Sequence, residues 1–257
     1  MADLTALAAR LTDGSVQVID LTSPLHSGTP ILQLPPQFGQ TQPFRLEEIS
    51  RYDDRGPNWY WNNILTGEHT GTHLDAPNHW VTGKDKGDVA SIPPERLIGP
   101  AAVIDKTREA SVNADYLLDV PDLEKWQEDN GQFPEKGWLL FRTGWDARGD
   151  DPDAYANVDD QGSHTPGVSP EASRYLAGTG LLGFGVETVG TDAGQAPGFT
   201  PPFPCHEAVL GAGKYGLTQL RNLDKLPVTG AIVIAAPLPI VTGSGSPARV
   251  LALVERP

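Results

Sequence analysis

The segment from Glu68 to Trp80 constrains this chain more than any other. It reads Glu-His-Thr-Gly-Thr-His-Leu-Asp-Ala-Pro-Asn-His-Trp and gathers three of the six histidines around Asp75. His69 and His73 are four apart, Asp75 follows by two, and His79 by four more. A spacing of four suits one face of a helix, but the composition opposes a helix here. Gly71 lowers helix propensity by about 1 kcal/mol relative to Ala, Pro77 costs about 3 kcal/mol in a helix interior, and Thr70 and Thr72 are β-branched. The segment is therefore read as a strand that ends in a tight turn, with polar side chains converging from a loop. In extended chain His73 and Asp75 project to the same side. Gly71 allows close backbone approach or a positive φ, and Pro77 stiffens the loop.

Two imidazoles and a carboxylate are a common ligand set for a divalent transition ion. His69, His73 and Asp75 can supply three ligands and leave positions open for water and substrate, which a catalytic site needs and a structural site lacks. An ion held there acidifies bound water and polarises a carbonyl oxygen. His79, beyond this trio, can complete a second metal site or act as a general base. The competing reading is a set of surface or hydrogen-bonded histidines with no ion.

The rest of the chain bounds the protein class. Its 257 residues, 39% hydrophobic and 20% charged, fit one domain spanning residues 1–257 with a substantial core. No apolar run reaches about eighteen residues, so no membrane span is expected. The start, Met1 to Arg10, lacks the basic and apolar regions of a secretory signal, and the cytoplasm is the default location. A net charge of −14 repels phosphate backbones and argues against nucleic-acid binding. The lone Cys205 excludes an intramolecular disulfide and a cysteine-rich zinc site. Next to His206 it invites a nucleophile reading, but a single cysteine is more often a small buried hydrophobe.

Glycine and proline, 28 and 24 residues, punctuate the whole chain without forming a linker. Strands are expected at Val16–Asp20, Trp59–Leu65, Ala101–Asp105, Trp138–Arg142, Leu181–Val186, Ala231–Ala236 and Ala248–Val254. Ile31–Pro57 reads as a long loop or lid. Asn113–Trp126 reads as an amphipathic helix interrupted by Pro121, and Ser169–Ala177 as a helix capped by Ser169 with Pro170 in its first turn. His206–Gly213 is a short helical turn. Strands outnumber helices and recur irregularly, which points to an α/β domain with a mixed sheet.

Other residues carry weaker signals. The Pro201–Pro204 run holds His206 on a rigid segment, where it can donate a proton to a leaving group or hold a substrate oxygen; a core or capping histidine is the alternative. Gln219 can act as a neutral metal ligand through its amide oxygen. Asp192 can orient a histidine from behind or cap a turn. Trp59, Trp61 and Trp80 flank the cluster and can wall a planar substrate or pack in the core. His26 and His164 are isolated and are read as structural or solvent-facing.

On these residues the chain resembles the cyclase-type metal-dependent hydrolase family, which includes bacterial kynurenine formamidases and isatin hydrolases. Its motif His-x-Gly-Thr-His-x-Asp-x-Pro-x-His is matched at every defined position from His69 to His79. Ile19–Leu25, Cys205-His206 with the following Leu-Gly-Ala-Gly turn, Asn222–Asp224 and the closing 235–247 stretch extend the likeness over nearly the whole chain. The resemblance implies a swivelling β/β/α fold, hydrolysis of an amide or cyclic amide, metal ligands at His69, His73 and Asp75, and a homodimer or larger assembly. It also implies that His79 and His206 stand close to the ion. Formamidase-type members resemble a two-metal site that also uses a later glutamate. Here Thr218-Gln219-Leu220 offers no carboxylate, so one ion with Gln219 as fourth ligand is expected, manganese before zinc. That position and the Trp-rich run resemble the isatin hydrolase branch. Opening of isatin to isatinate is the implied activity, with His79 or His206 moving the proton. An arylformamidase acting on N-formylkynurenine, a lactone hydrolase and a non-catalytic metal-dependent small-molecule binder are the alternatives.

Overall fold

The computed structural model describes residues 4–35 and 37–256. Fourteen strands occur among them: β1 Val16–Asp20, β2 Arg45–Asp53, β3 Gly56–Leu65, β4 His73–Asp75, β5 Ile98–Asp105, β6 Leu117–Leu118, β7 Trp138–Arg142, β8 Val158–Asp159, β9 Gly162–Ser163, β10 Gly167–Val168, β11 Gly183–Val186, β12 Tyr215–Thr218, β13 Thr229–Pro237 and β14 Gly245–Glu255. Five α-helices accompany them: α1 Leu4–Thr12, α2 Thr107–Val112, α3 Val120–Asn130, α4 Pro152–Ala156 and α5 Pro170–Ala177.

The main sheet is mixed, and it closes. Its order is β1-β14-β13-β5-β7-β11-β12-β4, and β14 also pairs with β4. Eleven residues make β14 long enough to serve two partners along one edge. Gly245–Pro247 pair with Asp75–His73 of β4, and Leu251–Glu255 pair with β1. The result is a seven-strand barrel with β1 as an outer flap. An α/β fold with a mixed sheet was the expectation from sequence; closure into a barrel goes beyond it.

The apolar run Trp138–Phe141 shows why the central strands are recognisable. Trp138 and Leu140 join Leu74, Leu217, Val233 and Val250 in one cluster. Leu139 and Phe141 join Phe184, Leu123, Trp126 and Leu176, where α3 and α5 cover the opposite face. Both faces of β7 are therefore buried, and such strands read as continuous hydrophobic runs rather than alternating ones.

Two expectations need correction. The 31–57 segment, of which Pro36 lies outside the described residues, is a loop only in its first half; Arg45–Asp53 pairs with Gly56–Leu65 as a two-stranded ribbon outside the barrel. The expected Asn113–Trp126 helix begins instead at Val120. Asp119 caps it through a capping box with Asp122, and Pro121 sits in its first turn, where a missing N–H costs nothing. Ser169 caps α5 as expected, its side chain accepting from Ala172 N. No helix among the described residues is long and apolar enough to cross a membrane.

Candidate active site

The histidine cluster lies where the barrel closes. β4 is only three residues long, pinned between β12 and β14. Gly71, at φ +65°, makes the turn that admits it. His73 and Asp75 lie on the same side of this strand, with His73 Nε2 3.2 Å from Asp75 Oδ1. Gly216, opposite on β12, leaves room for the carboxylate; a Cβ there would stand 2.6 Å from Asp75 Oδ2.

Asp75 is 1% exposed and is the centre of the site. Its Oδ1 also lies 2.8 Å from His69 Nδ1, and its Oδ2 lies 4.0 Å from His206 Nε2. Burial alone would raise the Asp75 pKa, but the imidazoles of His73 and His69 reverse this and hold it well below the usual carboxylate range. His79 stacks on His69 with ring centroids 3.8 Å apart. Burial, helped by the neighbouring imidazoles, pushes the His79 pKa down to about 3, so its ring is neutral and keeps a free lone pair. Donor atoms of His69, Asp75 and His79 all lie within 4.8 Å of one another. His73 reaches this group through Asp75. Its Nδ1 is 2.7 Å from the Gly71 carbonyl, which holds a proton on that nitrogen and turns Nε2 toward the carboxylate.

His206 enters from a π-helix, His206–Leu210, on the far wall. Asp192 holds it in place. One carboxylate oxygen accepts from Cys205 N at 2.7 Å, and the other accepts from His206 N at 3.0 Å and Nδ1 at 2.5 Å. Burial lowers the His206 pKa, but the Asp192 hydrogen bond and charge outweigh it and the net shift is upward. With Nδ1–H committed to Asp192, Nε2 faces the cavity.

That cavity, about 220 Å³, is lined by His69, His73, Asp75, His79 and His206, with apolar walls from Leu32, Leu34 and Val189. The loop walls are missed by the sequence reading, where prolines conceal any periodicity; the Leu32 and Leu34 pair was the available signal. Trp80 contacts His206 and Phe203, with centroids 5.0 and 5.6 Å apart.

Three sequence-derived candidates are placed elsewhere. Gln219 does not turn toward the cluster: its amide donates to the Pro30 carbonyl at 3.1 Å, and it lines a separate small cavity with His26 and Tyr155. Gln219 lies just past the end of β12 at φ +51°, a left-handed backbone that takes its side chain off the strand's inner row. Thr218, opposite His73 in the ladder, takes the inward position and contacts the His73 ring at 2.8 Å. Trp59 and Trp61, 47% and 54% exposed, sit on the outer ribbon, outside the cavity walls of this chain and outside the core. His164 lies between Asp115 and Asp159, and His26 accepts from Gly28 N in a local turn. Cys205 is buried, and burial raises its thiol pKa well above normal, which suits packing and not nucleophilic attack.

The donor set fits a divalent ion. A buried carboxylate is ringed by imidazoles whose other nitrogens, at His73 and His206, are held by acceptors, the usual way a protein orients metal-binding histidines.

Comparison with known proteins places this geometry in context. A family model described as "Putative cyclase" matches residues 19–193. The chain is 46% identical to the isatin hydrolase of Roseibium aggregatum over 256 residues, covering 98% of this chain and 97% of that one. It is 31% identical to the kynurenine formamidase of Salinibacter ruber over 194 residues, 73% of this chain and 76% of that one. The crystal structure of an isatin hydrolase bound to the product analogue thioisatinate matches with a TM-score of 0.96 and 46% identity over 98% of each chain.

Proposed function

This chain belongs to the cyclase family, and from that membership we propose that its cavity opens the amide bond of isatin to give isatinate. It is an enzyme, a hydrolase of amide C–N bonds, and its relatives favour the isatin reading over the formamidase one: the isatin hydrolase matches the full length at the higher identity. The observation that carries the proposal is the buried Asp75 ringed by imidazoles at the foot of a small cavity with apolar walls. A space of about 220 Å³ lies at the small end for ligand sites, right for a compact planar ring system and too small for a polymer.

We assign His69, His73 and Asp75 to the ion, with His79 beside them. A divalent ion bound there supplies Lewis-acid chemistry, polarising the substrate carbonyl and acidifying water. Manganese is the ion we propose, one per chain, with zinc as the alternative. His206 supplies the base. Asp192 keeps the proton on Nδ1, leaving Nε2 to take a proton from the attacking water and return it to the departing nitrogen. His79, neutral at physiological pH, is the second candidate for this transfer. Leu32, Leu34 and Val189 exclude water around the ring, and Trp80 supports His206. We further propose that residues 1–257 act as one domain in the cytoplasm and as a homodimer. The β2–β3 ribbon supports the dimer: it exposes Leu46, Tyr52, Trp59, Trp61 and Ile64, and a lone two-stranded ribbon is marginal without a partner surface.

The test is metal-stripped protein reconstituted with manganese or zinc and assayed on isatin, N-formylkynurenine and a simple lactone. The expected result is ion-dependent turnover with isatin preferred. Full activity without metal, or a preference for N-formylkynurenine, overturns the reading.

A further inference from the structure

His69 differs from its neighbours in how its second nitrogen is held. Nδ1 faces Asp75 Oδ1 at 2.8 Å, while Nε2 faces Ser244 Oγ at 2.9 Å. Ser244 in turn is bound to Glu68. Its hydroxyl donates to Glu68 Oε2 at 2.6 Å, and its backbone N–H donates to the same oxygen at 3.0 Å. Gly243 and Gly245 flank Ser244 and make this packing possible. A Cβ on Gly245 would stand 2.6 Å from His69 Cε1, and one on Gly243 would stand 3.0 Å from Glu68 Oε1. Ser244 O also accepts from Ala76 N at 2.9 Å, tying the turn before β14 to the residue after Asp75.

We propose that Glu68 and Ser244 are positioning residues that set the tautomer of His69 and so tune the affinity of the site for its ion. The inference rests on the metal-site reading above. The hydroxyl of Ser244 has one hydrogen, and Glu68 takes it. Ser244 therefore offers His69 only an acceptor, so Nε2 carries a ring proton. Nδ1, which donates to Asp75 Oδ1 in the metal-free chain, is then the nitrogen that would give up its proton and turn a lone pair to an ion shared with Asp75. A ligating histidine whose other N–H is bonded is held in orientation and is a stronger base, and removing such a partner weakens metal binding about 10–100-fold. Here the chain runs His69 Nε2–H to Ser244 O–H to the Glu68 carboxylate. The bond from Ser244 N–H to the same carboxylate oxygen stops the serine from rotating away.

The experiment titrates metal-free protein with Mn(II), reading free ion by electron paramagnetic resonance, for the wild type, Ser244→Ala, Glu68→Gln, the double variant and Ser244→Thr. Ser244→Ala is expected to weaken binding about 10–100-fold and Glu68→Gln about tenfold. The double variant is expected to be no weaker than Ser244→Ala alone, because both act through one chain of bonds. Ser244→Thr, which keeps the hydroxyl, is expected to stay near the wild type. Circular dichroism of the metal-free forms checks that the fold is kept, and Glu68→Gln carries the test if Ser244→Ala does not fold. Ser244→Ala binding as tightly as wild type, or losses that multiply in the double variant, overturns the relay and leaves the metal site standing. A wild-type chain that takes up no ion overturns both.

Discussion

Replacing Asp192 by asparagine removes one negative charge and almost no volume. The carboxylate makes three hydrogen bonds, to Cys205 N, His206 N and His206 Nδ1. Asparagine has one acceptor oxygen, so it cannot satisfy both sides. If that oxygen stays with Cys205 N, the amide NH₂ faces His206 N–H and Nδ1. The ring then moves its proton to Nε2 to accept at Nδ1, and Nε2 can no longer take a proton from water. If the amide turns over, His206 keeps its partner but Cys205 N loses one. A buried unpaired donor costs about 1–3 kcal/mol, so stability is expected to fall by that amount in either orientation.

The catalytic loss is larger. General-base transfer contributes about 10²–10⁴ in rate, equivalent to about 3–5 kcal/mol of barrier. Asp192→Asn should therefore lower kcat/KM for isatin by about 10²–10⁴ at neutral pH. The loss should fall on kcat, because Asp192 is not among the residues lining the substrate cavity. Asp192 is also what raises the His206 pKa against the effect of burial. Without it, the residual activity should show an acid limb displaced to lower pH. The assay is isatin ring opening followed by absorbance across pH, with bound manganese measured on the same samples. A variant that retains kcat/KM within threefold while folded and metal-loaded would refute the role given to the Asp192–His206 pair.

Four further outcomes are expected. Glu187 is buried, and burial together with the Asp146 charge raises its pKa from 4.5 to about 7. Its folded form binds the proton more tightly than the unfolded chain, so this contribution is complete below pH 4.5 and is lost as pH rises through 7, about 3 kcal/mol in all; denaturant titrations at several pH values should show that slope, and Glu187→Gln should flatten it. Gly245→Ala puts a methyl 2.6 Å from both His69 Cε1 and the Leu74 carbonyl; overpacking of this kind costs about 1–3 kcal/mol, read as a lower denaturation midpoint, and the metal content should fall with it. Trp80→Ala removes ring contacts to His206 and Phe203, worth about 0.5–1.5 kcal/mol each, so kcat/KM should drop roughly 5–100-fold while Trp80→Phe retains most activity. Chelator treatment should abolish turnover and Asp75→Asn should lose activity and ion together, which metal analysis of the purified variant checks.

How much of this was legible depends on how far apart in the chain the interacting residues lie. His69, His73, Asp75 and His79 sit within eleven residues, so Gly71, Pro77 and the two-residue step from His73 to Asp75 were enough to suggest a convergent, non-helical loop. The buried strand β7 was legible because both its faces are covered and the apolar run is unbroken. β2 was not, because both of its faces meet solvent and its polar, charged sequence carries no burial signal. Asp192 and His206, fourteen residues apart, could be named as partners only in outline. Glu68 and Ser244 are separated by 176 residues, and nothing in either local sequence announces the other.

Gln219 shows a different limit of the local sequence, set by backbone conformation at a strand end. The segment Thr218-Gln219-Leu220 reaches the site, with Thr218 against the His73 ring and the Gln219 amide on the Pro30 carbonyl. β12 ends at Thr218 and Gln219 takes a left-handed backbone at φ +51°, which nothing in the local sequence announces. Chemical type favoured Gln219, since an amide oxygen is a better ligand than a threonine hydroxyl. Thr218 pairs with His73 and inherits the inward position, while Gln219 takes up the Pro30 carbonyl. The consequence reaches the metal: with no carboxylate at this position and the amide turned away, the negative charge facing an ion comes from Asp75. One carboxylate among several imidazoles holds a single dication more readily than a close pair. Metal analysis returning two tightly bound equivalents per chain would break this step of the argument, whatever the substrate proved to be.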